Sequence, residues 1–466
     1  MEIRHNDIEI NSEEPFANCK LGRKKHAEIL TKIVSTYSDG FVLAINNEWG
    51  TGKTTFVKMW SQHLTNEGFQ TLYFNAWEND FDTNPLVPLV SEIKTLIKSN
   101  DKESYKELLK KGAVLSKNLI PALVKAIAEK HIDSKTMVEF LENSAKAATD
   151  IFESEINQYA SKKKGLVEFR QELQKFIYDN NNSKPVIFFI DELDRCRPNY
   201  SVEVLEQLKH FFSVKGIVFV LSIDKEQLGN AVKGLYGSEK INSEEYLRRF
   251  IDLEYQIPAP SSIVFCKYLY EYFDFDSFFK NLKRLQYDTF KADSENFIAL
   301  SALLFTNENI SLRYLEKLYS QTRLVLKQFN HNEFVFPTLL FLLTFIKSRD
   351  LALYNNLGNR KLSIQDAINS IENNLLTPIN FEEIEPIRYT LSLFILFYFN
   401  FLKEEDYNVK IIEKSEVDGN DYLNVKSKFN SDIILEHIQS FRRKPFEFTK
   451  IDTYFNKISL YENLIN

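Results

Sequence analysis

The sequence predicts an α/β fold: a five-stranded, mainly parallel sheet flanked by helices, broken by a long helical insertion and followed by an all-α C-terminal region. Three observations lead there. From about residue 15 to 260, short apolar runs rich in β-branched and aromatic residues alternate with helical pattern, as buried parallel strands joined by helical crossovers do. The chain holds 13 Gly and 12 Pro, about 5% where roughly 12% is usual. So few punctuators disfavour a turn-rich β-sandwich and favour long helices. Past Pro258-Ala-Pro260 the strand-like runs stop, and helical pattern with many Phe and Tyr takes over.

In chain order, the expected strands are Phe41–Ile45, Thr71–Asn75, Val186–Ile190, Ile217–Ile223 and Phe250–Ile257. Between Asn75 and Val186 there is no strand-like run. The stretch 97–183 reads as a helical insertion, with Lys117, Lys125 and Glu129 interrupting its apolar segments. It is either a solvated helix or an arm for docking a partner. The expected division is a sheet domain over 15–260 and a helical lid or partner domain over 261–466. Phe334–Ile346 and Tyr389–Leu402 are strongly apolar. Both fall short of the about 20 residues that cross a bilayer, so they read as buried helices and no membrane span is expected.

Composition narrows the function classes. Lys and Arg number 58 against 65 Asp and Glu, a net charge of −7. A wholly basic surface for nucleic acid is excluded. Only Lys162-Lys-Lys164 and Arg442-Arg-Lys444 are locally basic, and both read as solvated surface. Cys19, Cys196 and Cys266 are far apart, with no CxxC pair and no HExxH. A disulfide framework or structural zinc is not expected, and a reducing cytoplasm fits. The N-terminus carries no apolar stretch of signal-peptide length.

The chemistry concentrates after the first strand. Phe41–Ile45 runs into Asn47-Glu48-Trp49-Gly50-Thr51-Gly52-Lys53-Thr54-Thr55 and then a helical pattern. This fits the phosphate-binding P-loop pattern G-x-x-x-x-G-K-[ST] over 47–54, with Asn47 in place of the first Gly. Asn tolerates a left-handed backbone better than most residues, so it is expected to stand in for that glycine. Gly50 and Gly52 let backbone N–H groups close around phosphate oxygens. The following helix presents its positive end to the same charge. Lys53 adds charge-assisted hydrogen bonds, and Thr54 offers a hydroxyl to Mg²⁺.

A second strand supplies the acid. Pro185-Val-Ile-Phe-Phe-Ile190 ends in Asp191-Glu192-Leu-Asp194-Arg195. Asp191 is expected to hold Mg²⁺ through water, and Glu192 to orient and deprotonate the attacking water. Asp194 reads as a capping acid. Val218–Asp224 is a strand ending in polar groups, and Ser222 or Asp224 is expected at the ligand crevice. Arg248 or Arg249, before the last strand, is a candidate arginine finger acting on a neighbouring subunit. Arg313 in the C-terminal region can reach back to nucleotide. Trp49 is expected to pack on the loop Asn75-Ala-Trp77. No guanine-reading N-K-x-D motif is present, so ATP is the expected nucleotide.

These blocks together resemble the KAP family of P-loop NTPases, known from a neuronal membrane scaffold and a plasmid phage-exclusion protein. The likeness rests on Leu21-Gly-Arg23, Asn47–Thr55, Phe74-Asn-Ala-Trp77, Ile190-Asp-Glu-Leu-Asp-Arg-Cys-Arg-Pro198 and Ser311-Leu-Arg-Tyr-Leu-Glu-Lys317. It implies a sheet in which another strand separates the P-loop strand from the strand bearing Asp191. It further implies ATP and Mg²⁺, with Arg23 near the adenine and Arg313 as a sensor. Many members carry transmembrane helices between the two motifs; the insertion here is too charged for that. The expected function is a Mg²⁺-dependent ATPase acting as a conformational or oligomerisation switch. A homo-oligomer or a partner effector would read the switch, in bacterial defence against phage or plasmids. The alternatives are a nucleotide-bound scaffold that does not hydrolyse, and a DNA-stimulated ATPase.

Overall fold

The computed structural model describes residues 8–37, 40–81, 85–96, 164–165, 167–178, 184–211, 214–306, 310–329, 334–374, 376, 384–414, 419–444 and 448–460. The chain divides into two units between Ala259 and Pro260.

The first unit is built on one sheet. Its elements are α1 (Lys24–Thr36), β1 (Val42–Asn46), α2 (Lys53–Asn66), β2 (Gln70–Asn75), α3 (Leu86–Ile93), α4 (167–178), β3 (Val186–Asp191), α5 (Pro198–Phe211), β4 (Ile217–Ile223), α6 (Lys225–Tyr236), α7 (Ser243–Leu247) and β5 (Leu253–Tyr255). The strand order is β2-β3-β4-β1-β5 and every pairing is parallel. Thus β4 lies between the P-loop strand β1 and the acid-bearing strand β3.

The strand sequences explain their places. Strands β3 (VIFFID) and β4 (IVFVLSI) are buried along their whole length, so both faces must be apolar and no alternation appears. Alternate residues serve two cores. Val42, Ala44, Phe188 and Phe219 pack with α3, α4, α5 and α6 on one face. Leu43, Ile45, Phe189 and Val220 pack with α1 and α2 on the other. There, buried Trp60 meets Phe189 edge-on at 5.3 Å and donates its indole N–H to Thr31 at 2.9 Å. Strand β5 is shorter than the run Phe250–Ile257 suggests, because its second side is a sheet edge.

Two departures bear on the expected organisation. Ile8 and Ile10, before residue 15, pack against the α1/α2 core. Of the segment read as an insertion, 97–163 lies outside the described residues. Helix α4, near its end, places Phe169, Leu173, Phe176 and Ile177 in the sheet's own core.

Among the described residues, the second unit is helical apart from one short hairpin. Its main helices are α8 (Ser262–Tyr272), α9 (Asp293–Thr306), α10 (Leu312–Leu326), α11 (Pro337–Arg349), α12 (Leu351–Gly358), α13 (Ile364–Asn374), α14 (Glu385–Lys403), α15 (Ser431–Arg442) and α16 (Ile451–Leu460). The hairpin pairs β6 (Ile412–Lys414) with β7 (Asp421–Leu423). It departs from the all-α expectation because three-residue strands are too short to show a period of two. The two apolar segments form α11 and α14, both sunk in this unit's core. No described helix is long and apolar enough to cross a membrane. Aromatic rings dominate the packing: Phe297 lies 5.0–5.4 Å from Phe275, Tyr319 and Phe341.

Candidate functional site

The site grows out of the carboxyl ends of β1, β3 and β4. Strand β1 stops at Asn46 and the chain turns through 47–52 into α2. The left-handed positions of this loop are Gly50 and Gly52, each with φ 80°. Gly52 is required twice over, since a Cβ there would lie 2.9 Å from the Arg23 guanidinium. Gly52 caps α2 with no side chain, which leaves the first N–H groups of a 14-residue helix open toward an anion. Thr54 and Thr55 sit half-buried in that first turn. Thr51 turns its hydroxyl to the Glu48 carbonyl at 2.8 Å.

Asn47 departs from expectation. Its backbone is not left-handed. Its amide instead forms a two-way bond with the chain after β5: Nδ2 donates to the Ile257 carbonyl at 2.8 Å, and Oδ1 accepts the Ile257 N–H at 2.9 Å. The Asn47 N–H donates to the Ile223 carbonyl at 3.1 Å. Asn is used here to continue strand pairing past the end of β1, which a glycine cannot do.

Lys53 is buried, and its ammonium donates to the Asn47 and Glu48 carbonyls at 2.5 and 3.0 Å. Burial holds its pKa below the ordinary lysine value, while Asp194, Asp224 and Asp191 pull the other way. Arg23 braces the loop from behind, donating to the Gly52 and Thr51 carbonyls at 2.9 and 2.6 Å. Its guanidinium is thereby committed to the loop's own backbone.

The acids stand at the end of β3. Asp191 is 1% exposed and in register with Asn75 of β2 and Ser222 of β4. Its Oδ2 accepts the Tyr73 hydroxyl at 2.8 Å and its Oδ1 the Glu192 N–H at 2.9 Å. Glu192 carries a positive φ of 60°. Its carboxylate is paired with Arg195 at 2.9 Å and receives the Asn75 amide at 3.4 Å. Burial pushes its pKa up, Arg195 and Asn75 pull it down, and Asp191 and Asp194 push it further up. Ser222 is fully buried, and its hydroxyl has no hydrogen-bond partner.

The donor set fits a magnesium phosphate. Hard oxygens of Thr54 and Asp191, an open helix end and an unpartnered Ser222 hydroxyl are what phosphate and Mg²⁺ require. Among the described residues, no group of three His, Cys, Asp or Glu could hold a metal alone.

Comparison with known proteins adds the family. A family model described as the KAP family P-loop domain matches residues 23–326. The chain belongs to the KAP P-loop family. It is 28% identical over 179 residues to the uncharacterized protein MJ0182 of Methanocaldococcus jannaschii, covering 33% of this chain and 89% of that one. Among solved structures it is similar to the Aeropyrum pernix ORC2 protein, with 12% identity, 91% and 95% of the two chains covered and a TM-score of 0.32. It is also similar to AMPPCP-bound DnaA from Aquifex aeolicus, with 11% identity, 98% of each chain covered and a TM-score of 0.30.

The KAP domain brings Asn47–Thr55, Arg23, Asp191, Glu192 and Ser222 to one end of one sheet. Trp49 donates its indole N–H to the buried Asp194 carboxylate at 2.5 Å, so it ties the P-loop to the turn after β3. Asp194 needs that donor, for burial pushes its pKa up and the Trp49 bond and Lys53 draw it down. Asp224 caps α6 through the N–H groups of Glu226 and Gln227. Arg249 is exposed and precedes β5. Since β5 runs parallel to β1, Arg249 sits at the end of the sheet away from the P-loop. Arg248 pairs with Glu244 and Glu245. Arg313 lies in the second unit, exposed on the first turn of α10. Of the basic stretches, Lys162 and Lys163 lie outside the described residues, Lys164 pairs with Glu168, and Arg442 ends α15 over the Phe399 ring.

Sequence reasoning missed Tyr73, Asn75 and Arg195 as parts of this site. Asn75 ends β2 as Asp191 ends β3, so a polar residue closing an apolar run was the signal. Its use required knowing that the two strands are neighbours.

Proposed function

We propose that this KAP domain binds ATP with Mg²⁺ and hydrolyses its terminal phosphoanhydride bond. The observation that carries the reading is the arrangement of Lys53 and the acids. A buried ammonium rests on two loop carbonyls, under the charge of Asp191, Asp194 and Asp224. Such carbonyls are replaceable partners. On nucleotide binding Lys53 exchanges them for the β- and γ-phosphate oxygens, each a charge-assisted bond of about 1.5–3 kcal/mol. The amides of Gly50–Thr55 donate to the same phosphates. The Thr54 hydroxyl and Asp191 would hold Mg²⁺, which would neutralise charge on the phosphates there. Glu192 orients water and accepts its proton, and the Ser222 hydroxyl donates to the γ-phosphate.

The remaining roles follow the same proposal. Arg249, at the far end of β5, serves only a neighbouring molecule's nucleotide. Arg313, by family resemblance, is a nucleotide sensor. Arg23, by family resemblance, lies near the adenine. Bound ATP then acts as a conformational or oligomerisation switch, read by a second copy or a partner effector. The resemblance suggests bacterial defence as the setting. The pairing of Asn47 with Ile257 accounts for its place in the loop, so this departure from the P-loop pattern does not favour a non-hydrolysing scaffold.

The test is phosphate release by wild type and Glu192→Gln. The variant should bind ATP yet lose turnover by about 10²–10⁴-fold, the usual worth of a general base. Wild-type protein that releases no phosphate with Mg²⁺ and ATP ends the hydrolysis reading. Light scattering with a non-hydrolysable ATP analogue tests the switch, and an unchanged mass and shape would remove it.

A further inference from the structure

Glu192 is held more elaborately than a simple acid at a strand end needs. A non-glycine residue with positive φ is strained and persists only where its surroundings over-determine it. Here they do. The Glu192 N–H donates to Asp191 Oδ1, and the Glu192 carbonyl accepts the Arg195 N–H at 3.1 Å. Its Oε1 meets Arg195 Nη1 at 2.9 Å, and its Oε2 receives Asn75 Nδ2 at 3.4 Å.

The two side chains that grip it are themselves fixed. Asn75 Oδ1 accepts the N–H groups of Trp77 and Glu78 at 3.1 and 3.3 Å. This settles which way the amide faces and turns Nδ2 to Glu192. The Arg195 guanidinium lies over the Trp77 ring at 5.9 Å, within reach of a cation–π contact. The loop that carries Trp77 is clamped to the same turn. Arg197 donates its N–H and Nε to the two Asp80 carboxylate oxygens at 2.8 and 2.9 Å. The loop after β2 and the turn after β3 therefore form one braced piece, with the Glu192 carboxylate at its centre.

Taking Glu192 as the general base of the proposed hydrolysis, we propose that Arg195 is a positioning residue for it, with Trp77 as the wall that holds Arg195. A carboxylate offers about four lone-pair sites. The two contacts occupy one site on each oxygen and leave the others for water, so the grip orients the base without blocking it. As an ion pair alone the contact would mean little, because partly exposed pairs add little stability. Its geometry matters more, since a small misplacement of a catalytic group has a large effect on rate.

The experiment uses the full chain and steady-state ATPase kinetics. Arg195→Ala should lower kcat by about 10- to 100-fold, with KM and the affinity for a non-hydrolysable analogue within about twofold of wild type. Arg195→Lys should recover much of the loss, since it restores a cation of similar reach. Trp77→Ala should fall between wild type and Arg195→Ala, and it keeps the question answerable if Arg195→Ala folds poorly. Glu192→Gln is run beside them. If it abolishes turnover while Arg195→Ala and Trp77→Ala leave kcat unchanged, the positioning role is overturned and the base reading stands. A rise in kcat in Arg195→Ala overturns it too, marking a restraint instead. Nucleotide affinity falling in parallel with kcat points to general disruption and likewise overturns it. Full turnover in Glu192→Gln removes the base reading, and this inference with it.

Discussion

Lys53, Asp191 and Asp194 in the sheet unit, and Arg284 and Asp293 in the helical unit, are all buried charges, yet they are built to different rules. Arg284 and Asp293 have each other. The guanidinium donates to Asp293 and is walled by the rings of Phe290 at 4.3 Å and Phe278 at 4.7 Å. Burial pushes the Asp293 carboxyl up to about 7, against the pull of Arg284. Lys53 instead rests on backbone carbonyls of a loop. A carbonyl released from an ammonium can turn to water, whereas a carboxylate inside an aromatic core has nowhere to turn. Exchangeable partners suit a charge that must meet a ligand. Exclusive partners suit a charge that locks packing.

The largest expected effect tests the locked side. Removing Asp293 leaves a guanidinium that cannot shed its charge, whereas removing Arg284 leaves a carboxyl that can protonate. Asp293→Leu should therefore destabilise the protein by about 3–5 kcal/mol, and Arg284→Met by about half that. The double variant should recover most of the loss, because an apolar replacement of a buried pair is often neutral. Urea unfolding of the three variants checks this. Equal losses for the two single changes would break the asymmetry and leave the pair as ordinary packing.

The exchangeable side predicts the opposite balance. Lys53→Ala removes a desolvated cation that, among the described residues, bonds to loop carbonyls, so stability should change by less than about 1 kcal/mol. Nucleotide affinity should fall by about 1.5–3 kcal/mol, roughly 10- to 150-fold. Paired titration and melting measurements read both. If Lys53→Ala unfolds the protein as readily as Asp293→Leu, the distinction between the two kinds of buried charge fails.

The same distinction marks what the sequence made legible. Asn47–Thr55 and Asp191-Glu192 stood out because ligand chemistry demands particular residue types at fixed spacing, beside strands whose apolar runs are unmistakable. Five strands were visible for that reason, and β4 to the residue. The partners that hold the site were not. Tyr73 reaches Asp191 across 118 positions, Trp49 reaches Asp194 across 145, and Asn47 reaches Ile257 across 210. Such contacts depend on strand order, which periodicity does not carry. The Arg284–Asp293 pair was hidden differently: nine residues apart in a helical stretch, it looks like any surface pair until burial is known.

Asn47 sharpens the comparison most finely, because one residue holds both kinds of partner. Its carbonyl is a resting place for Lys53, open to exchange. Its side-chain amide is committed to Ile257 through two hydrogen bonds. Asn47→Gly restores the usual P-loop residue and keeps the carbonyl while deleting the committed half. Were Asn47 merely a tolerated stand-in at a left-handed position, that change would stabilise the protein by up to about 1 kcal/mol. With its backbone outside that region, the change instead loses two net hydrogen bonds and adds glycine's unfolded-state freedom, a loss of about 1.5–4 kcal/mol. ATP affinity should stay near the wild-type value, since the phosphate-facing backbone is retained. The sign of the stability change therefore decides between the two accounts, and a denaturation curve reads it directly.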